Sequence, residues 1–295
     1  MKLCLGTVQF GMEYGVAKDV KPSLAQALDI LDYAFSNDIT AFDTAGGYGN
    51  AEEVLGEFLK NHQTDRQQLH IVTKTGNCLD NVEKNKYIST LQKKLSESLI
   101  RLHTDYIDTY LFHTAQYAYE DEKLHALHQL KKEGLIKHCG VSVYQPKEAL
   151  SAINSGFVDF IQLPFNLFDH RFYNEKVFAL AKEKNIIIHT RSTFLQGLFA
   201  MDLEKIPPFL SIALSPLCEL EKLCTKHDLT KLELAMAFVK SFPEITNIII
   251  GVNTLEQLKI NLQLYTKNIE YDLSQKILKQ FNNLNEKIYL PTLWE

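Results

Sequence analysis

The stretch GTVQFGMEYG, residues 6–15, follows the first short apolar run of the chain, KLCLG at 2–6. An open, doubly wound nucleotide-binding sheet carries G-x-G-x-x-G at this place, so that the backbone can approach a pyrophosphate at a helix N-terminus. Here glycines stand at 6, 11 and 15, and that spacing does not fit. The fold then turns on what the rest of the chain repeats.

No sequence repeat is present, but a pattern repeats. Short β-rich runs lie at 2–6, 41–44, 70–74, 106–113, 136–142, 157–163, 185–190 and 247–252. Most are almost continuously apolar, as expected of parallel strands covered on both faces. Longer amphipathic segments separate them. SLAQALDILDYAFSN, 23–37, places Leu24, Ala27, Leu28, Leu31, Ala34 and Phe35 on one helical face, with Ser23 as its cap. NAEEVLGEFLKNH, 50–62, begins with Asn50 as a cap and two early acids that suit the positive end of a helix. Three later segments end at Gly134, Gly156 and Asn185, residues that stop helices. Strands alternating with helices predict an α/β fold, and the regular eightfold alternation favours a closed (β/α)8 barrel over an open sheet. No break in composition divides the chain, which reads as one domain over 1–295. Residues 194–228 read as a long loop entering a helix, and long loops of this kind carry function.

The formal charge is −5 and no basic stripe stands out, which argues against nucleic acid or an anionic membrane as a partner. The N-terminus lacks the pattern of a signal peptide, and runs such as NIIIH and NIIIGV are far too short to span a bilayer. The five cysteines, at 4, 78, 139, 218 and 224, are odd in number and show no C-x2-C spacing, so we expect reduced thiols in a cytoplasmic protein. His125 and His128 are spaced i, i+3, but no acid or thiolate accompanies them at a metal site's spacing, and no metal is expected.

In a (β/α)8 barrel the reactive groups gather at the C-terminal strand ends. In chain order these ends are Asp43 with Tyr48 in its loop, Lys74, His113, Ser142, Gln162, Arg191 and Gly251. A free tyrosine, with a pKa near 10, is a poor acid at neutral pH, and a neighbouring lysine lowers that value. A carboxylate keeps the lysine charged and aimed. A histidine across the pocket orients a carbonyl. Together they are suited to protonating a carbonyl oxygen while a hydride arrives at its carbon. A lysine ending an apolar strand is the most telling of the four, because an unpaired buried ammonium is costly.

FDTAGGYGNAEEVLG, IVTKTG and YIDTYLFHTA resemble the signatures of the aldo-keto reductase family, and the likeness runs from LGTVQFG to GVNTLEQLKINL. The resemblance implies Tyr48 as general acid, Lys74 as its partner, Asp43 as the anchor of Lys74 and His113 as the carbonyl-orienting group. It implies a nicotinamide cofactor, NADPH with NADH as the alternative, bound without a metal to reduce a small-molecule aldehyde or ketone. Ser142 and Gln162 match positions that hold the carboxamide, Thr7 one near the cofactor, and Asn261 one that contacts adenine. Three positions depart from the family pattern. Val143 stands where asparagine is common, Arg191 where an aromatic stacks on the nicotinamide, and Gln257 where an arginine is common. The chain also starts at the first strand, without the hairpin many members carry. The style of RSTFLQGLF resembles members linked to sugar metabolism, which implies a sugar-related carbonyl, with Arg171 and Arg191 available to a phosphorylated substrate. The aromatics of FNLFDHRFYN, 165–174, fit either loop packing or a pocket wall.

Two rival functions share the barrel. One is a nicotinamide-binding regulatory subunit with little turnover. The other is an aldolase or isomerase that uses Lys74 as a Schiff-base amine.

Overall fold

Strand and helix alternate along the chain as the apolar runs predict. The computed structural model describes residues 1–16 and 20–294. Its strands are β1 (Lys2–Gly6), β2 (Ala41–Asp43), β3 (His70–Thr75), β4 (Ile107–Phe112), β5 (Ile136–Ser142), β6 (Phe160–Pro164), β7 (Ile187–Arg191) and β8 (Asn247–Gly251). They form a closed parallel barrel in chain order. Closure is made by β8 on β1, in register from Lys2 against Asn247 to Gly6 against Gly251.

Alternation along each strand decides what faces inward. Val72, Leu111 and Phe160, with Ile187 beside them, form a small apolar cluster separate from the main core. Leu5, Phe42, Ile71, Tyr110, Val141 and Ile161 point the other way and pack in the large core beneath the helices. Two residues beyond Val72, Leu111 and Phe160, and so on the same inner face, stand Lys74, His113 and Gln162. The pleat that fills the barrel with apolar side chains therefore presents polar ones at its C-terminal rim.

Local chemistry explains several helix boundaries. Ser23 and Gln26 form a reciprocal capping box at the start of the helix Leu24–Ser36. That helix buries Ala27, Ile30, Leu31 and Ala34, whereas Leu24 is exposed, so its apolar stripe is turned slightly from the one expected. Gly156 ends the helix Pro146–Ser155 in the left-handed region, at φ 74°. Asn50 corrects an expectation. Its side chain makes no cap to the helix Ala51–Asn61 and instead accepts a hydrogen bond from Lys21 Nζ.

The strands predicted at 106–113 and 157–163 begin later than expected. Tyr106 precedes β4 and stacks under the Arg66 guanidinium, 4.0 Å from ring centroid to Cζ. The long segment after β7 holds short 3-10 turns at Leu195–Ala200, Leu203–Lys205 and Pro208–Ala213 before the helix Leu214–His227. The 165–174 aromatics prove to be core. Phe165 packs with Phe178, Phe238 and Phe242, and Phe168 with Phe199 and Phe281. Among the described residues no helix is long and apolar enough to cross a membrane.

Candidate active site

The loop after β2 continues along β3 before it turns. Thr44 N donates to Val72 O at 2.8 Å and Gly46 N to Lys74 O at 3.0 Å. Tyr48 then closes a turn on Ala45 O, and its own carbonyl accepts from Ala51 N, which starts the next helix. A second loop fixes this one from the side. Gly49 has φ +56°, and a Cβ there would lie 2.3 Å from Gly11 O. A Cβ on Gly11 would lie 1.6 Å from Tyr48 O. Only glycine at both positions lets the two backbones meet.

Lys74 is fully buried on the inner face, with its Nζ 2.6 Å from Asp43 Oδ1 and 2.8 Å from Thr44 O. The second Asp43 oxygen accepts from Gln162 Nε2 at 2.7 Å. Burial pulls the Lys74 pKa down, yet Asp43 and Tyr48 together raise it above its ordinary value. The ammonium is therefore kept charged, because the carboxylate beside it replaces lost hydration. It lies 5.0 Å from the Tyr48 ring centroid, and the His113 ring meets Tyr48 edge-on at 5.4 Å. Asp43, Tyr48, Lys74 and His113 thus converge.

Two directions of titration matter. Burial pushes the Tyr48 phenol up, Lys74 and Arg191 pull it down, Asp43 and Tyr144 push it up, and the net direction is upward. The expectation that lysine lowers this tyrosine holds for the direction of its pull but not for the balance. Asp43 screens the ammonium at 2.6 Å, and desolvation wins. His113 is driven down to about 3 by burial, then by Lys74 and Arg191, so it is a neutral imidazole at ordinary pH.

A cavity of about 400 Å³ opens at this rim. Asp43, Tyr48, Gln162, Thr7 and Arg191 line it, as do Gln257 and Asn261 from the segment after β8. Lys74, His113 and Ser142 are not in the lining. Ser142 is buried behind Gln162, whose Oε1 its hydroxyl approaches at 3.4 Å. Thr7 donates to Asp43 O through both its backbone N and its hydroxyl, at 2.9 and 3.1 Å, and so ties the ends of β1 and β2. Arg171 is not free for a substrate. Four of its N–H groups are engaged by Asp169, Gln145 Oε1 and Tyr144 O. His125 and His128 each have another partner, Gln129 and the Phe157 carbonyl.

Of the two residues that the opening loop QFGMEYG offers to a substrate pocket, Met12 and Tyr14, only Tyr14 is in the cavity lining. Its hydroxyl accepts from Gln196 Nε2 at 3.1 Å. Gln196 O in turn accepts from Val16 N at 3.1 Å. Loops after β1 and β7 are joined there, a pairing that no local signal announces, although Gly197 at φ +93° marks the turn.

The sequence profile of the Aldo/keto reductase family matches residues 2–285. The chain belongs to this family. It is 30% identical over 254 residues, 81% of each chain, to the uncharacterized oxidoreductase YqkF of Bacillus subtilis. To the NADH-specific methylglyoxal reductase of Escherichia coli it is 24% identical, over 82% of this chain and 83% of that protein. The aldo-keto reductase AKR11C1 from Bacillus halodurans, in its holo form, superposes with a TM-score of 0.77 at 23% identity, covering 94% of this chain and 91% of its own, which shows the shared barrel. As an aldo-keto reductase, the chain is an oxidoreductase that uses a nicotinamide cofactor.

Proposed function

We propose that the protein transfers a hydride between a nicotinamide dinucleotide in the rim cavity and the carbonyl of a small aldehyde or ketone, with Tyr48 as the proton donor. The observation that carries this reading is the buried Lys74–Asp43 pair at 2.6 Å, set beside the Tyr48 ring at the cavity wall. The donor set suits a dinucleotide. Arg191, Ser192 and Thr193 line one stretch of the cavity, and the amides of Asn253, Gln257 and Asn261 line another. When bound, the reduced nicotinamide supplies the hydride.

The chain's own residues handle the proton and the carbonyl. Tyr48, kept protonated by burial, donates its phenolic proton to the carbonyl oxygen as negative charge grows there. Lys74 stabilises the phenolate that results, and Asp43 holds Lys74 in place. Neutral His113 can donate an N–H bond to the same oxygen and orient it. Ser142 holds Gln162, which in turn braces Asp43, so that both act on the site through the carboxylate.

The same pair argues against the Schiff-base rival. A nucleophilic lysine needs a depressed pKa, and that of Lys74 is raised. We read the compartment as the cytoplasm and the substrate as a small carbonyl compound, with a sugar-related one preferred. The test is cofactor oxidation at 340 nm across a panel of aldehydes, ketones and sugar carbonyls. Turnover should fall at least about a hundredfold in Tyr48→Phe while cofactor binding persists. Undiminished turnover in that variant would remove Tyr48 from its role. Tight cofactor binding with no turnover of any carbonyl would favour the regulatory-subunit reading.

A further inference from the structure

Arg191 is the one cationic side chain among the described residues that line the cavity. Its Nη2 donates to Val143 O at 3.0 Å, and its Cζ sits 4.3 Å from the centroid of the Tyr144 ring. Neither contact supplies a countercharge, and Asp169, the buried acid within reach of Arg191, is already paired with Arg171 at 2.8 Å. The one acid in the cavity lining, Asp43, is already shared between Lys74 at 2.6 Å and Gln162 at 2.7 Å. The rim formed by Asp43, Lys74 and Arg191 therefore carries a net charge of one positive unit.

Arg191 ends β7 and pairs in register with Pro164, two residues beyond Gln162 on the same face of β6. Its charge reaches the reacting groups: it pulls Tyr48 down against the larger upward push of burial, and it adds to the burial that lowers His113. Any ring that delivers a hydride to a carbonyl held at Tyr48 must come within roughly 3–3.5 Å of the carbonyl carbon. The nicotinamide therefore has to enter the part of the cavity that Arg191 charges.

The two redox forms of that ring differ in charge. The oxidised pyridinium is a cation, whereas the reduced dihydropyridine is neutral. A fixed guanidinium nearby destabilises only the first. We infer that Arg191 makes the site discriminate between the redox forms of its cofactor, holding the reduced form more tightly than the oxidised one. This rests on the cofactor reading above. Repulsion between two neighbouring unit charges at an effective dielectric of about 20 is on the order of a tenfold or greater difference in Kd. The overall equilibrium of the reaction is unchanged. The enzyme loads with reduced cofactor and sheds the oxidised product readily, and the bound couple's potential rises by about 30 mV for each tenfold. The arrangement suits a reductase that works where oxidised cofactor is abundant.

Calorimetric titration of the full chain with NADH, NAD+, NADPH and NADP+ tests this without turnover. In wild type the oxidised form should bind at least about tenfold more weakly than the reduced form of the same cofactor. That ratio should collapse toward one in Arg191→Gln and persist in Arg191→Lys, which keeps the charge but alters the stack on Tyr144. A wild-type ratio near one overturns the inference with no variant needed, and so does an unchanged ratio in Arg191→Gln. If neither redox form binds, the cofactor reading itself fails, an outcome distinct from binding without discrimination.

Discussion

Arg101 grips Glu52 from outside the barrel, with its Nε and Nη2 both 2.6 Å from Glu52 Oε2. The other Glu52 oxygen accepts from Thr73 Oγ1 at 2.6 Å, one residue before Lys74. Glu52 opens the helix that begins three residues after Tyr48, and a Cβ on Gly56 of that helix would lie 2.1 Å from Arg101 O. One carboxylate thus ties the base of the Tyr48 loop to the strand that carries Lys74.

Removing Arg101 should leave Glu52 buried without its countercharge. We expect Arg101→Met to cost about 3 kcal/mol, the low end for a broken buried pair because the guanidinium is partly exposed. Arg101→Met with Glu52→Gln should recover part of that loss, since the stranded charge is gone. Urea denaturation of the four proteins closes the cycle. A purely additive double variant would show that the two residues do not interact.

Asp43→Asn strips the carboxylate from a fully buried ammonium. Stability should fall by about 3–5 kcal/mol, and turnover should fall with it. A loss under about 1 kcal/mol in chemical denaturation would mean that Thr44 O alone satisfies Lys74.

Carbonyl reduction should be insensitive to pH through the neutral range. Tyr48 is raised from 10, so its proton is retained, and activity declines only on the alkaline side of that value. His113, at about 3, does not titrate between pH 5 and 9. An inflection near 6.5 in kcat/KM that disappears in His113→Gln would contradict this assignment.

Acid should unfold the protein through buried histidines. His170 is 3% exposed, and burial lowers it from 6.5 to about 4. His189, also lowered by burial, lies well below 6.5. Because the folded values are depressed, the unfolded chain takes up protons first as the pH drops. Stability is intact above 6.5 and is lost progressively as the pH falls from 6.5 to about 4, by on the order of 3 kcal/mol for His170 alone. His170→Gln, followed by thermal unfolding at pH 7 and pH 4.5, should show a smaller difference between the two than wild type does.

NADH and NADPH should serve about equally. The cavity stretch formed by Asn253, Gln257 and Asn261 offers amides, and among the described lining residues it has no cation for a 2′-phosphate. Values of kcat/KM for the two cofactors should agree within about tenfold, and Gln257→Arg should favour NADPH by about tenfold, since a guanidinium suits phosphate. A wild-type preference for NADPH above a hundredfold would point to a cation outside this set.

The barrel was legible in the sequence because each strand is a short apolar run with its own helix, so local periodicity and topology agree. The convergence of Asp43, Lys74 and His113 followed from knowing the strand ends, since the pleat alone sends them to one face. Other features need tertiary distance. Arg171 reads as a free cation until Asp169 and Gln145 are seen around it. The upward direction at Tyr48 depends on how deeply other loops cover it. The Arg101–Glu52 pair joins residues 49 positions apart, and nothing near either one predicts the other. Asn50 was misread because its preference for caps is local, whereas Lys21 reached it from another loop.

The contact between Gly11 and Gly49 limits how the pocket can be redesigned. Tyr14 lies three residues after Gly11 and lines the cavity, which makes it a natural place to install a new substrate preference. A library that diversifies residues 12–14 can sample widely, but one that varies Gly15, at φ +99°, strains the backbone, and one that varies Gly11 drives a side chain into the carbonyl of Tyr48. The loop that sets selectivity and the backbone that carries the proton donor thereby meet at residue 11, and a graft from a related barrel can replace the first while leaving the second undisturbed only if its boundary falls after that residue.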